Sequence, residues 1–247
     1  MKRTLCFAKR NLKEMVRDPL SLFFGIVFPI LLLLLLSLIN KSIPAEAEMR
    51  LFEIETLTPG IGVFSMSFVA LFTSLLISKD RGSSFMLRLY TSPMMGTDFI
   101  LGYLLPLLPM GLVQLAACYA AALALGLPLS VNLLLAIAVS IPILIVNIAI
   151  GAICGTCLDE KAVGGICGAL LTNVSAWLSG IWFPLEQVPG LREAAKILPF
   201  KNAVDAARAA VAGDFGGAFG KLRLVCLWAA VLLIAAIVIF ARKMKAK

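Results

Sequence analysis

Residues 17–40 read RDPLSLFFGIVFPILLLLLLSLIN, and the stretch from Leu20 to Ile39 contains no Asp, Glu, Lys or Arg. A bilayer core about 30 Å thick is crossed by about 20 apolar residues of helix. In hydrocarbon each backbone N–H and C=O must find its partner inside the segment, so this stretch is a spanning helix. Asp18 can accept from the first free amides and Pro19 suits a first turn, which sets the start of the helix.

The same reading applies outward from this stretch. Further apolar runs cover 60–78, 99–125, 131–155, 162–182 and 222–240. Apolar residues make up 61% of the 247 positions and the mean hydropathy is +0.99, well above a soluble domain. The expected fold is therefore all-α and integral to the membrane, with six transmembrane helices (20–39, 60–78, 99–125, 131–155, 162–182, 222–240) in a single domain, 1–247. Unbroken runs exclude the alternation of an outer-membrane barrel. The remaining chain comprises an arm (1–19), a polar loop (40–59), the segment 79–98, a turn at Gly126-Leu127-Pro128, a loop at 159–161 and the piece 183–221.

Charge orients the chain. The arm, 79–98, 159–161 and the tail carry 14 Lys/Arg against 6 acids, and the other face carries 8 against 8. Lys/Arg excess marks the cytoplasm, so both termini are expected inside a multi-pass protein of the cell membrane. The net charge of +8 then faces anionic membrane lipids rather than nucleic acid. In the arm, Leu5, Ala8, Leu12, Met15 and Val16 recur at helical spacing, with Lys9, Arg10, Lys13 and Arg17 mostly turned away. This predicts an amphipathic interfacial helix; the alternative is a solvated basic tail that only sets orientation. The basic arm is too long, and the first apolar run longer than a secretory h-region, for a cleaved signal peptide, so a retained span is expected.

The chemistry that is absent narrows the function. The chain has no His and no acid inside a predicted span, which argues against a proton-driven carrier. GGAFGKL (216–222) lacks the glycine spacing and the hydroxyl of a phosphate loop, so no nucleotide is expected on this chain. Cys154-x-x-Cys157 has no second pair and no metal is expected; the six cysteines read as packing residues. Gln114, Asn147, Thr172, Asn173 and Ser175 could bond between helices or line a substrate path. Kinks are expected at Pro29, Pro106, Pro109 and Pro142, and close helix contact, within the bundle or across a dimer, at Gly151-x-x-x-Gly155 and Gly164-x-x-x-Gly168.

Two connecting pieces stand out. Prolines cut 183–221 into two short amphipathic helices, about 190–197 and 201–212, which would dip into the outer leaflet or pack on the bundle. The segment SKDRGSSFMLRLYTSPMMGTDFILG (78–102) holds a helix of about two turns, capped by Ser83 or Ser84 and ended by Ser92-Pro93. Phe85, Met86, Leu89 and Tyr90 share one face beside Arg88. That face suits a groove on a partner protein or a rest on the inner leaflet.

Gly82, Ser83, Leu87, Leu89, Ser92 and Pro93, followed by Gly102, resemble the coupling-helix region of ABC exporter permeases of the type-2 class. LSGIWFPLEQVP (178–189) with LPFKNAVDAAR (198–208) is similar to that family's Ser-Gly-x-x-Phe-Pro turn and re-entrant helices. RNLKEMVRDPLSL (10–22) resembles its connector helix and first span. Ser78-Lys79-Asp80 stands where many relatives carry a Glu-rich stretch.

The resemblance implies a permease driven by a separate cytoplasmic ATPase subunit that holds the ATP and magnesium, with a second permease copy as homodimer or heterodimer. It implies ATPase coupling through Gly82, Ser83, Phe85, Met86, Leu87, Arg88, Leu89, Tyr90, Ser92 and Pro93. It also implies a connector helix with Arg10, Lys13, Arg17 and Asp18, and a re-entrant turn at Ser179, Gly180, Phe183, Pro184 and Pro199. A substrate path past Gln114, Asn147, Asn173 and Ser175, with no charge along it, suits export of a drug, peptide antibiotic or lipid-like compound. No single helix face shows the aromatic stripe of a polysaccharide exporter. The alternative is a non-transporting assembly or sensor subunit whose 83–90 helix recruits another cytoplasmic protein.

Overall fold

The computed structural model describes residues 2–43, 52–83, 96–185 and 188–245, all helices and connecting turns. The arm is a helix, α1 (Lys2–Arg17), and Asp18 then caps α2 (Pro19–Ser42) by accepting from the amides of Leu20 and Ser21. Pro29 has no N–H for the Gly25 carbonyl, and the ladder just upstream widens into a π turn at Phe23–Val27. Helix α3 (Ile54–Gly82) is tightened at Met66, and α4 (Gly96–Ala124) stays helical through Pro106 and Pro109. Helix α5 (Asn132–Cys157) breaks at Ser140, one residue before Ile141-Pro142, where the Ser140 hydroxyl bonds back to Ala136 O at 2.8 Å.

Helix α6 covers 160–178 and is π-helical over Gly164–Leu171. Two short helices follow, α7 (Pro189–Ile197) and α8 (Pro199–Ala212), where prolines at both first turns set the starts and Gly213, at φ +81°, ends the second. The last helix is α9 (Phe215–Lys245).

Among the described residues five helices are long and apolar enough to cross a membrane: α2, α3, α4, α5 and α9. The fifth expected span, 162–182, falls outside this set. Its helix stops at Leu178, and Lys161, Thr172, Asn173 and Ser175 dilute its apolar run. Helices α3 and α9 outrun their expected spans of 60–78 and 222–240 because a helix that satisfies its own backbone continues past the last apolar residue. Chain contacts define two ends of the bundle. At the arm end Phe7 packs on Phe99, Phe99 on Phe240, and Arg81 reaches the carbonyls of Gly155 and Leu158. At the opposite end Arg208 donates to the carbonyls of Thr56 and Gly180, and Asn132 to that of Val211. Helix α6 runs from the first end to the second.

The packing core is α3, whose apolar window is 89% buried, against 22% for α2 and α9, which leaves those two at the periphery. Gly151 and Gly155 bring α5 onto α3 within this bundle. A Cβ at Gly155 would lie 2.6 Å from the Ser74 carbonyl oxygen, whereas one at Gly164 would meet nothing within 4 Å. Gly155→Ala should therefore destabilise the purified protein by about 1–3 kcal/mol through overpacking. Gly164→Ala should leave thermal unfolding unchanged or slightly later, and unfolding in detergent followed by intrinsic fluorescence distinguishes the two.

Candidate functional site

The polar junction between arm and bundle is built from α1 upward. Its buried face is Thr4, Phe7, Ala8, Asn11 and Met15, while Leu5, Leu12 and Val16 are exposed. The expected apolar face of Leu5, Ala8, Leu12, Met15 and Val16 is thus split. Polar Thr4 and Asn11 go inside because each finds a bond there, Thr4 Oγ1 to Asp98 Oδ1 at 2.8 Å and Asn11 Nδ2 to Gly102 O at 3.1 Å. The Phe7 ring lies on Gly102, where a Cβ would collide with it, and meets the Tyr103 ring edge-to-face at 4.9 Å. Gly102 is required by this close approach.

Asp80 is the centre of the junction. Its side chain is only 3% exposed, and Oδ2 accepts from Arg10 Nη1 at 2.7 Å and Tyr103 OH at 2.8 Å. Burial opposes the Arg10 charge, but the bond and attraction of Asp80, with Glu14 beside it, hold its pKa above the ordinary value. Arg10 also pairs with Glu14 at 2.7 Å, and Glu14 in turn with Lys79 at 3.2 Å. Arg81 Nη1 donates to Gly155 O at 2.7 Å and Leu158 O at 3.1 Å, a cation on the free carbonyls at the end of α5. Three consecutive residues, Lys79, Asp80 and Arg81, thereby tie α3 to α1, α4 and α5.

The expected coupling residues Phe85, Met86, Leu87, Arg88, Leu89, Tyr90, Ser92 and Pro93 lie outside the described residues. Gly82 ends α3 in open space. Ser83, one of the two expected caps of a following helix, bonds its hydroxyl back to Asp80 O at 2.8 Å at the end of α3; the helix it would cap lies outside the described residues. Of the connector residues, Arg10 is in the junction, Asp18 is the N-cap of α2, and Lys13 and Arg17 are exposed. The sequence reading missed Asp80, Tyr103 and Arg81. The signal available was the Lys-Asp-Arg triplet at the end of an apolar run.

At the opposite end Ser179 bonds back to Ala176 O, Gly180 turns at φ +68° and offers its carbonyl to Arg208, and Pro199 is buried at the start of α8. Asn202 Nδ2 donates to Leu198 O at 3.0 Å and Lys196 O at 3.1 Å, holding the α7–α8 turn. Phe183 and Pro184 are half-buried, and Phe183 borders an open cleft of about 430 Å³ between α2, α3 and α6. Phe24, Phe28, Phe64, Phe68, Trp177 and Trp182 line the cleft, with Thr172 and Asn173 the polar residues. Phe24 stacks on Phe68 at 5.5 Å and Phe64 meets Trp182 at 6.2 Å.

The structure separates the four expected path residues. Asn173 faces the cleft. Gln114 is buried and donates to Ser65 O at 2.7 Å, Asn147 bonds Ile143 O of its own helix, and Ser175 is buried. The aromatic lining was invisible to a search along single helix faces because three elements and a turn supply it.

The geometry is thus a helical bundle with several helices long and apolar enough to cross a membrane, an uncharged aromatic cleft and a polar junction at one end. The family model described as ABC-2 type transporter matches residues 3–211. The chain belongs to the ABC-2 type transporter family and is its membrane-embedded permease component, for which a partner ATPase subunit is the general rule. No curated protein matches it.

Arg10 is 36% exposed and keeps Glu14, so losing the Asp80 charge costs about 1.5–3 kcal/mol, the range of a hydrogen bond to a charged group. Asp80→Asn should therefore undock α1, and trypsin should then cleave at Lys9, Lys13 or Arg17 at least ten-fold faster than in the unaltered protein. Tyr103→Phe, which removes a single bond, should have a smaller effect in the same gel assay.

Proposed function

We propose that this chain is the permease of an ATP-driven exporter with six spans, both termini cytoplasmic and two permease copies per transporter. In this reading a separate ATPase binding ATP and magnesium docks on the segment around 83–93 and on the arm. The observation that carries it is the Lys79-Asp80-Arg81 junction. A displacement where α3 ends, immediately before that segment, is passed to α1, α4 and α5 at once. The six-span count is supported by the path of α6 from the arm end to the opposite end, which returns both termini to one side. The Lys/Arg excess of the arm side supports a cytoplasmic location for that side.

Helices α7 and α8 then lie at the outer face as re-entrant helices, tied to α3 by Arg208 and to α9 by the Trp228 Nε1 bond to Ile197 O at 2.8 Å. The exposed flanks of α2 and α9 are covered by lipid or by the second copy. The cleft's aromatic walls and lack of charge favour an amphipathic or hydrophobic substrate, with Asn173 and Thr172 giving it a polar handle.

The ATPase is the engine, since a ligand-bound state can shift the bundle only by its differential contact with the two arrangements. Phe85→Asp and Leu89→Asp should leave the protein inserted, abolish transport and lower recovery of the co-expressed ATPase. Unchanged recovery and transport in both would sink the coupling assignment. Trp182→Ala with Asn173→Leu should keep ATPase recovery and change which amphipathic compounds stimulate ATP hydrolysis.

A further inference from the structure

Three cations of the arm, Lys9, Lys13 and Arg17, have no ion-pair partner among the described residues, and all three are exposed. The acids near them are engaged: Glu14 with Arg10 and Lys79, Asp80 with Arg10 and Tyr103, and Asp18 with the amides of Leu20 and Ser21 and the Ser21 hydroxyl. Spacing of four residues puts the three cations along one edge of α1. An open groove of about 870 Å³ follows this edge as far as Lys79. On the flank beside it Leu5, Leu12 and Val16 are 60%, 37% and 55% exposed, and Leu20 is 63% exposed just past the Asp18 cap.

We propose that this edge binds an anionic phospholipid, with the phosphate against Lys9, Lys13 and Arg17 and the acyl chains along Leu5, Leu12 and Val16. The inference rests on the arm lying at the membrane surface and is independent of the direction or substrate of transport. Two adjacent stripes decide the ligand class. Free phosphate would answer the cations alone, and an acidic protein surface would leave the leucine and valine side chains in water. A phospholipid answers both. The chain enters α2 at Pro19, two residues after Arg17, so the cations sit at headgroup depth and their aliphatic stems extend along the apolar flank. Arg10 is on the neighbouring face of the same helix, so a lipid that holds α1 down also favours the Arg10–Asp80 bond.

The test is native mass spectrometry of the purified full-length chain titrated with phosphatidylglycerol or phosphatidylcholine. A Lys or Arg near an anionic surface favours binding about five-fold. The unaltered protein should retain phosphatidylglycerol over phosphatidylcholine. Lys9→Gln/Lys13→Gln/Arg17→Gln should lose that preference by more than ten-fold, with its unfolding temperature unchanged because the three side chains are exposed. Arg192→Gln/Lys196→Gln, at the opposite end, should keep it. Added salt should weaken the preference of the unaltered protein, which checks the electrostatic origin without any variant. Equal retention of the two lipids, or a preference that survives the triple change, overturns the proposal. So does a triple variant that keeps phosphatidylglycerol and loses the ATPase, since the edge then belongs to a protein partner. Failure of Phe85→Asp and Leu89→Asp to affect transport would leave the lipid inference standing.

Discussion

A carboxylate shut between the arm and the bundle is the constraint on which this structure turns. Asp80 is too buried to be hydrated and has to be met by a cation, which Arg10 supplies together with the Tyr103 hydroxyl. Once Arg10 is on Asp80, helical spacing fixes everything else that α1 touches. Phe7, one turn back, lands on Gly102; Asn11, one residue on, meets the Gly102 carbonyl; Glu14, one turn on, meets Lys79. Apolar packing alone would allow a helix to slide or rotate along α4. The ion pair selects one register, a role for buried charge that is better attested than added stability.

The rest of the bundle divides into parts held tightly and parts held loosely. Helix α3 is surrounded on nearly all sides, and the glycines of α5 bring that helix to backbone contact with it. Helix α6 is the opposite case. Its middle is π-helical, Gly164 and Gly165 face open space, and Ile166, Leu170 and Trp177 are exposed. One wall of the aromatic cleft is therefore on the most buried long helix and another on a helix with an exposed flank.

The sequence made the class and most of the helices legible because they depend on local patterns. Apolar run length identified the spans, Asp18-Pro19 marked a helix start, and prolines marked α7 and α8. What stayed hidden depends on distant residues. Asp80 reads as the polar end of a span until Arg10, 70 positions earlier, and Tyr103, 23 later, close over it. The arm's bundle-facing side was not legible because Thr4 and Asn11 count as polar in any periodicity, while their bonds to Asp98 and Gly102 make burial favourable. Gln114 and Asn173 are equally polar in sequence, yet one bonds α4 to α3 and the other borders the cleft. No local pattern separates them.

The same long helix joins the junction to the cleft. The arm end of α3 carries Lys79, Asp80 and Arg81, and Phe64 and Phe68 on the cleft stand on either side of its tightened turn at Met66. That turn is held from within by the Ser65 hydroxyl on Gly62 O, at 2.7 Å, and from outside by Gln114 on Ser65 O. The glycine contacts of α5 oppose sliding of α3 as one rod, and Met66 is where the α3 ladder departs from regular helical spacing. Because Phe64 and Phe68 flank that turn, the spacing of their rings and the shape of the cleft depend on its geometry. The polar bond from Gln114 is then a support for the turn at Met66 rather than part of the cleft, and a single helix joins the junction to the cleft.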